Sequence, residues 1–327
     1  MNKVYSFLII LFCFSDLFAI ELVNQSSYSL LFESKSIRTD IVNKALINLP
    51  KKEFVDLLMM NLKMIEAKDS YNLTSAESAY LLYKWIGQNI EVNYKDGNND
   101  YMNVYNFRKG TPSGISNLFI MMCNYCDIKS KPISGYVKGI LNKKDGKISK
   151  IESTWNYIVI DSLKYLVDAS LGAGYYTEDE FEKFNSDLFF GTKPEIFINY
   201  HYPKDITWQM LPQAISPEKF DSLPLISNEF YLYGFKSFYP DYFDIKKSKT
   251  IKIELTYDNS IEIESFYRLL YNETYTSHLE KVETVKSNGK YEITLKESRS
   301  TVLYLGIFIG ENNIAHAPYI ILYRLIP

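Results

Sequence analysis

The stretch with the strongest hold on the possible folds is Gly110-Thr111-Pro112-Ser113-Gly114-Ile115-Ser116-Asn117-Leu118-Phe119, together with the fifty residues after it. Thr111 can cap a helix start. Proline suits the first helical position, where its missing N–H would have had no partner. Leu118, Phe119, Met121, Met122 and Tyr125 then leave little polar face, which predicts a helix buried on most sides. Such a helix needs a surface to lie on, and the next residues supply one. Residues 133–141 read as a strand, and Asp145-Gly146 suits a hairpin turn because both positions tolerate positive φ. Residues 154–160 alternate Trp155, Tyr157 and Val159 as a second strand, Asp161-Ser162 turns again, and 164–168 form a third. The expected core is a buried helix packed on an antiparallel meander, an α+β fold.

Elements on either side extend this plan. Residues 37–67 look helical, interrupted at Pro50. Phe54, Leu57, Leu58, Met60, Leu62 and Ile65 make a wide apolar face there. Thr74 and Glu77 have capping-box spacing, and Ala79, Leu82, Tyr83, Ile86 and Ile90 recur at helical intervals behind them. Gly97 and its Asn-Asp neighbours form a loop. After Asp168 come a glycine-rich loop, LGAGYY, and an irregular stretch punctuated by Pro194, Pro203, Pro212, Pro217 and Pro224. From Ser248 onward short strands alternate with turns, which predicts a small all-β sandwich of immunoglobulin-like type.

The N-terminus bears on compartment. MNKVYSFLIILFCFSDLFA has an early lysine, an apolar run from Tyr5 to Phe14 and a small residue at Ala19, which is a secretory signal pattern over 1–19. The run is short for a membrane span, and no later run reaches the ~20 apolar residues a span needs. The mature protein is expected to be secreted or periplasmic. Cys13 lies in that segment, so only Cys123 and Cys126 remain, and a hydrophobic core must hold the fold. Asn24, Asn72 and Asn272 fit the glycosylation pattern. The formal net charge is −3 with no basic stripe, which argues against a dedicated nucleic-acid binder. The lysines between 129 and 150 read as a solvated face. No cofactor and no metal are expected.

A helix followed by an antiparallel sheet is also the core of papain-like thiol enzymes. There a cysteine at the helix start is acidified by the dipole, a strand histidine shares its proton, and an acid on the next strand orients the histidine. Several ordered blocks resemble one branch of such proteins. They are Tyr83-Lys84-Trp85-Ile86-Gly87-Gln88-Asn89-Ile90, RKGTPSGISNLF with Met122-Cys123-Asn124-Tyr125-Cys126, Ile133-Ser134-Gly135-Tyr136-Val137-Lys138-Gly139, Thr154-Trp155-Asn156-Tyr157 and Tyr165-Leu166-Val167-Asp168. Phe190-Gly191-Thr192-Lys193-Pro194-Glu195 and Trp208-Gln209-Met210-Leu211 continue the series. Together they resemble the transglutaminase-like superfamily, in the branch containing the kyphoscoliosis peptidase. The resemblance implies a transglutaminase-like domain over 71–220, preceded by an N-terminal helical segment over 20–70 and followed by a linker over 221–247 and the sandwich over 248–327.

The same resemblance exposes what is missing. The family pattern Gly-Val-Cys-x-Gly-Tyr falls on Gly110 to Ile115, so Pro112 occupies the nucleophile position. The family histidine precedes Ala-Trp-Asn, and here Ser153 precedes Thr154-Trp155-Asn156. Only Asp168 of the implied triad remains, with nothing to orient. Its other expected duty is to bond the Trp155 strand or cap the turn beyond it. Ser113 is adjacent to the lost nucleophile but needs a base. His201 reads as structural, and His278 and His316 lie too far along the chain. Cys123 and Cys126 sit near the end of a buried helix, where the dipole does not help a thiolate. The expectation is therefore an exported, catalytically inactive relative that binds a protein or peptide partner, with Ser113, Trp155 and Asn156 as groove candidates. Two alternatives stay open: a thiol-type peptidase or crosslinking enzyme with a displaced nucleophile, and a thiol-redox protein using Cys123 and Cys126.

Overall fold

A computed structural model describes residues 25–50, 56–94, 98–141, 148–176, 181–257, 263, 265–271, 279–296, 304–311, 314–315 and 319–327. The signal-like segment with Cys13, Asn24, Gly97, the Asp145-Gly146 turn, Asn272, His278 and His316 lie outside these residues. The chain divides into two compact units, one of 25–139 with 150–214, the other including 140–149 and 215–327.

In the first unit the expected helices form. Thr39–Ile47 and Leu57–Ser70 flank the break at Pro50, and Ser75–Asn89 begins at Thr74. That start is a full capping box, with the Thr74 side chain accepting from the Glu77 N–H and the Glu77 carboxylate accepting from the Thr74 N–H. The first two helices were expected to make a separate segment ending at residue 70. Instead Val42, Leu46, Met60 and Met64 share one core with Tyr80, Trp85 and Phe119. The reason is the helix over 75–89, which buries residues on almost every side and so needs apolar cover from its neighbours.

The buried helix runs Pro112–Tyr125, and the meander comes next as Lys129–Leu141, Ile148–Ile160 and Leu163–Val167. The five-stranded sheet has the order Phe190–Thr192, third meander strand, second, first, then His201–Pro203. The second and third strands are antiparallel, with Asn156 opposite Val167 and Ile160 opposite Leu163. The last, closing strand runs antiparallel to the first, with Val137 opposite His201. Gly135 makes this pairing possible: a Cβ there would lie 2.3 Å from the Tyr202 carbonyl oxygen and 2.4 Å from the Trp155 ring. The stretch expected as a glycine-rich loop after Asp168 is instead a short helix, Ala169–Ala173, and a strand, Gly174–Tyr176, paired with Phe181–Lys183.

The C-terminal unit is β-rich, with two sheets. Thr250–Tyr257 lies between Phe235–Tyr239 and Lys290–Lys296 in one. Ile321–Ile326, Tyr304–Glu311 and Phe266–Tyr271 adjoin in the other. Ile251, Ile253 and Leu255 alternate inward beside Leu295, Ile293 and Tyr291. Phe266 of one sheet meets Phe235 at 6.0 Å and Tyr291 at 4.9 Å in the other, so the sheets share a core. The expected linker over 221–247 is therefore not a linker. It contributes Phe235–Tyr239, antiparallel to Thr250–Tyr257, and Asp244–Lys246, parallel to Ile321–Ile326. Its prolines drew attention away from Phe235, Phe243 and Ile245, which are buried. Strands expected at 260–268 and 314–323 begin later, at Phe266 and Ile321.

Candidate functional site

The helix start at residue 112 is built as a tight, covered junction. The Thr111 hydroxyl accepts from the Gly114 N–H at 3.1 Å, and Pro112 is the first helical residue, buried. A Cβ on Gly114 would lie 2.1 Å from the Asn98 carbonyl oxygen, so glycine lets the loop at 98–100 lie directly on the first turn. The Asn117 amide donates to the Asn99 carbonyl at 3.0 Å, and Thr111 is hydrogen-bonded to the Asn99 side chain. Pro112 presents only a pyrrolidine ring here, with no ionisable group. Ser113 is half-buried, and its hydroxyl lies 2.8 Å from that of Thr154 on the second meander strand. A hydroxyl paired with a hydroxyl gains no basicity, which is what a serine nucleophile requires.

The second strand divides its side chains between two faces, as the period of two demands. Thr154 and Asn156 face the helix, where the Asn156 amide donates to the Ser116 hydroxyl at 2.9 Å. Trp155 faces the other way, its ring 6.0 Å from Phe197 and 4.8 Å from His201. The three groove candidates are thus not one surface. Ser113 is half-buried, Trp155 and Asn156 are buried, and the tryptophan points away from the helix. Ser153 is buried too, and neither its hydroxyl nor the Trp155 indole N–H has a hydrogen-bond partner.

Asp168 does have an imidazole to hold, contrary to the expectation that it had nothing to orient. Its Oδ2 lies 2.9 Å from His201 Nε2 on the closing strand, and both residues are buried. Its Oδ1 accepts from the Ser170 N–H at 2.8 Å, the Ser170 hydroxyl at 2.6 Å and the Leu171 N–H at 3.0 Å. The capping duty expected of Asp168 is met by these bonds, which start the helix Ala169–Ala173. In a flat sheet the third meander strand and the closing strand would stand about 14 Å apart, three strand spacings. The 2.9 Å bond shows that the sheet curls until its far side returns to Asp168. His201 is gripped by rings as well: Phe197 stacks on it at 3.7 Å, and Phe189 approaches at 5.7 Å. The Phe197 carbonyl lies 3.4 Å from Nδ1. No local pattern in the sequence joins residues 168 and 201. The available signal was a histidine among aromatic residues in a strand-like run, a setting that needs a buried polar partner.

Cys123 and Cys126 are free and buried at the far end of the helix. Burial pushes the Cys123 thiol well up, and the neighbouring Cys126 adds to it. Burial also pushes Cys126 up to about 11, with Lys68 pulling down and Asp127 pushing up. Both are thiols, not thiolates, at neutral pH, and the thiolate is the reactive form. Among the described residues no cluster of three or more His, Cys, Asp or Glu could hold a metal ion, and no helix is long and apolar enough to cross a membrane.

Residues 64–167 match the family model of the transglutaminase-like superfamily. Kyphoscoliosis peptidase from Mus musculus is 28% identical over 137 residues, covering 41% of this chain and 21% of that protein. Hillarin from Drosophila melanogaster is 25% identical over 187 residues, covering 49% of this chain and 22% of that protein. A crystal structure of a TGase aligns with 11% identity and a TM-score of 0.27, covering 46% of this chain and 41% of that one. The chain thus spans about a fifth of the length of these two curated relatives.

Proposed function

From the premise that this chain carries a transglutaminase-like domain of the kyphoscoliosis peptidase branch, we propose that it is a catalytically inactive member that binds a protein or peptide. The observation that carries the proposal is the helix start. Where the family pattern places a cysteine, Pro112 keeps the helix geometry and brings no nucleophile. The position of the base holds Ser153, buried and without a partner. Substituting serine for histidine removes the group that would share a thiol's proton. The signal-like N-terminus supports export, and the former substrate groove beside Ser113 and Thr154 is the proposed place for an extended partner segment.

The test is an assay of the full chain for peptide hydrolysis and for amine exchange into glutaminyl peptides, paired with iodoacetamide labelling read by mass spectrometry. The expected result is no turnover and no fast labelling at Cys123 or Cys126. Turnover that disappears in Ser113→Ala would overturn the proposal in favour of a displaced serine. Turnover that disappears in Cys123→Ser would do so in favour of a thiol enzyme.

A further inference from the structure

The buried Asp168–His201 pair does something the proposed loss of catalysis does not require. An acid left behind by a vanished histidine would be free to drift in sequence or to face solvent. Here it is fully buried and fully used. A carboxylate offers about four acceptor sites. Asp168 already receives the Ser170 N–H, the Ser170 hydroxyl and the Leu171 N–H on Oδ1, and His201 on Oδ2.

The geometry also says where an imidazole at position 153 would go. Residues 153 and 155 are two apart on one strand and so project to one face. Asn156 is opposite Val167, so the next pair in the antiparallel register sets Trp155 beside Asp168. The Trp155 ring touches His201 on that face. A histidine at 153 would therefore approach Asp168 from the side that His201 already holds.

We infer that His201 has taken over the Asp168 carboxylate, so that returning a thiol to position 112 and an imidazole to position 153 does not by itself rebuild a working triad. The inference rests on the reading of Pro112 and Ser153 above. It makes His201 a positioning residue: it fixes the closing strand to the start of the Ala169–Ala173 helix and withholds the acid from any other base. An imidazole without an acid lacks what sets its tautomer and stabilises its charged form, a loss that costs about 10⁴-fold in turnover where it has been measured in serine proteases.

Three variants of the full chain test this: Pro112→Cys; Pro112→Cys with Ser153→His; and both with His201→Phe. Phenylalanine suits the third because the site is walled by Phe189, Phe197 and Trp155, and it donates no hydrogen bond to Oδ2. The readout is the rate of iodoacetamide alkylation at position 112 against pH, resolved by mass spectrometry from Cys123 and Cys126. The double variant is expected to react within about twofold of Pro112→Cys. The triple variant is expected to react at least about tenfold faster, with its profile displaced to lower pH. A double variant already tenfold faster would overturn the inference, as would a folded triple variant no faster than the double.

Should the triple variant not fold, a crystal structure of the double variant decides. His201 still on Asp168 Oδ2 supports the inference, and the introduced imidazole in its place overturns it. Turnover by the unaltered chain bears on the reading of Pro112 and Ser153, not on which imidazole Asp168 holds, so the two failures are separable.

Discussion

Glu77 shows how much one side chain can do when its neighbours are placed for it. Its carboxylate closes the capping box with Thr74 and accepts from the Arg38 backbone N–H at 2.9 Å. It is also ion-paired with the Arg38 guanidinium, at 2.7 Å to each oxygen. Burial favours the neutral acid, but the bonds from Arg38 and Thr74 outweigh it and hold the carboxyl at about 2. A folded pKa below the unfolded one means that the stabilisation is fully present above the ordinary value of 4.5 and is lost as pH falls toward 2. Glu77→Gln should therefore lower the unfolding free energy by about 3 kcal/mol at neutral pH. Urea titrations from pH 7 down to pH 2.5 should show the gap between the two proteins closing below pH 4.5. Gly135→Ala is a second case: its Cβ has no room against the Tyr202 backbone, and about 1–3 kcal/mol of destabilisation is expected by the same titration. The Thr74–Glu77 spacing was legible in the sequence because both partners lie within one helical turn. Arg38, Gly135 and His201 were not legible in these roles, since each meets its partner only after distant strands or helices come together.

The helix over 112–125 was legible at both ends, from Thr111 and Pro112 at its start to the loss of apolar periodicity after Tyr125. Thr111→Ala should cost about 1 kcal/mol, the usual worth of a capping hydroxyl, and thermal melts should register it. Asp168 serves an element too. Asp168→Ala removes the cap of the helix over 169–173 and strands His201 among aromatic rings. A loss of about 3–5 kcal/mol is expected, as when one partner of a buried pair is deleted. A loss near 1 kcal/mol would mean that Asp168 is only a cap. The C-terminal strands were legible by alternation, but the strand at Phe235–Tyr239 was not. It is an edge strand of five residues, read as linker because of the prolines before and after it.

For the whole molecule, two units with separate cores predict more than one calorimetric transition. Ile253→Ala, in the middle of the C-terminal core, should lower one transition by about 2–5 kcal/mol and leave the other nearly unchanged. Equal shifts of all transitions would show a single cooperative unit. The sequence by itself determined the order of elements, the junction at Pro112 and the class of core, because caps, turns and periodicity act within a few residues. Its ordered motifs also located the three positions where a triad would stand. Only the tertiary structure decided what each position does. Period-two alternation sent Trp155 away from the helix and Thr154 toward Ser113. The curl of the sheet, a property of five strands together, carried His201 back to Asp168. A contact made by closing a sheet depends on the summed twist of all its strands, and no local stretch of sequence contains that sum.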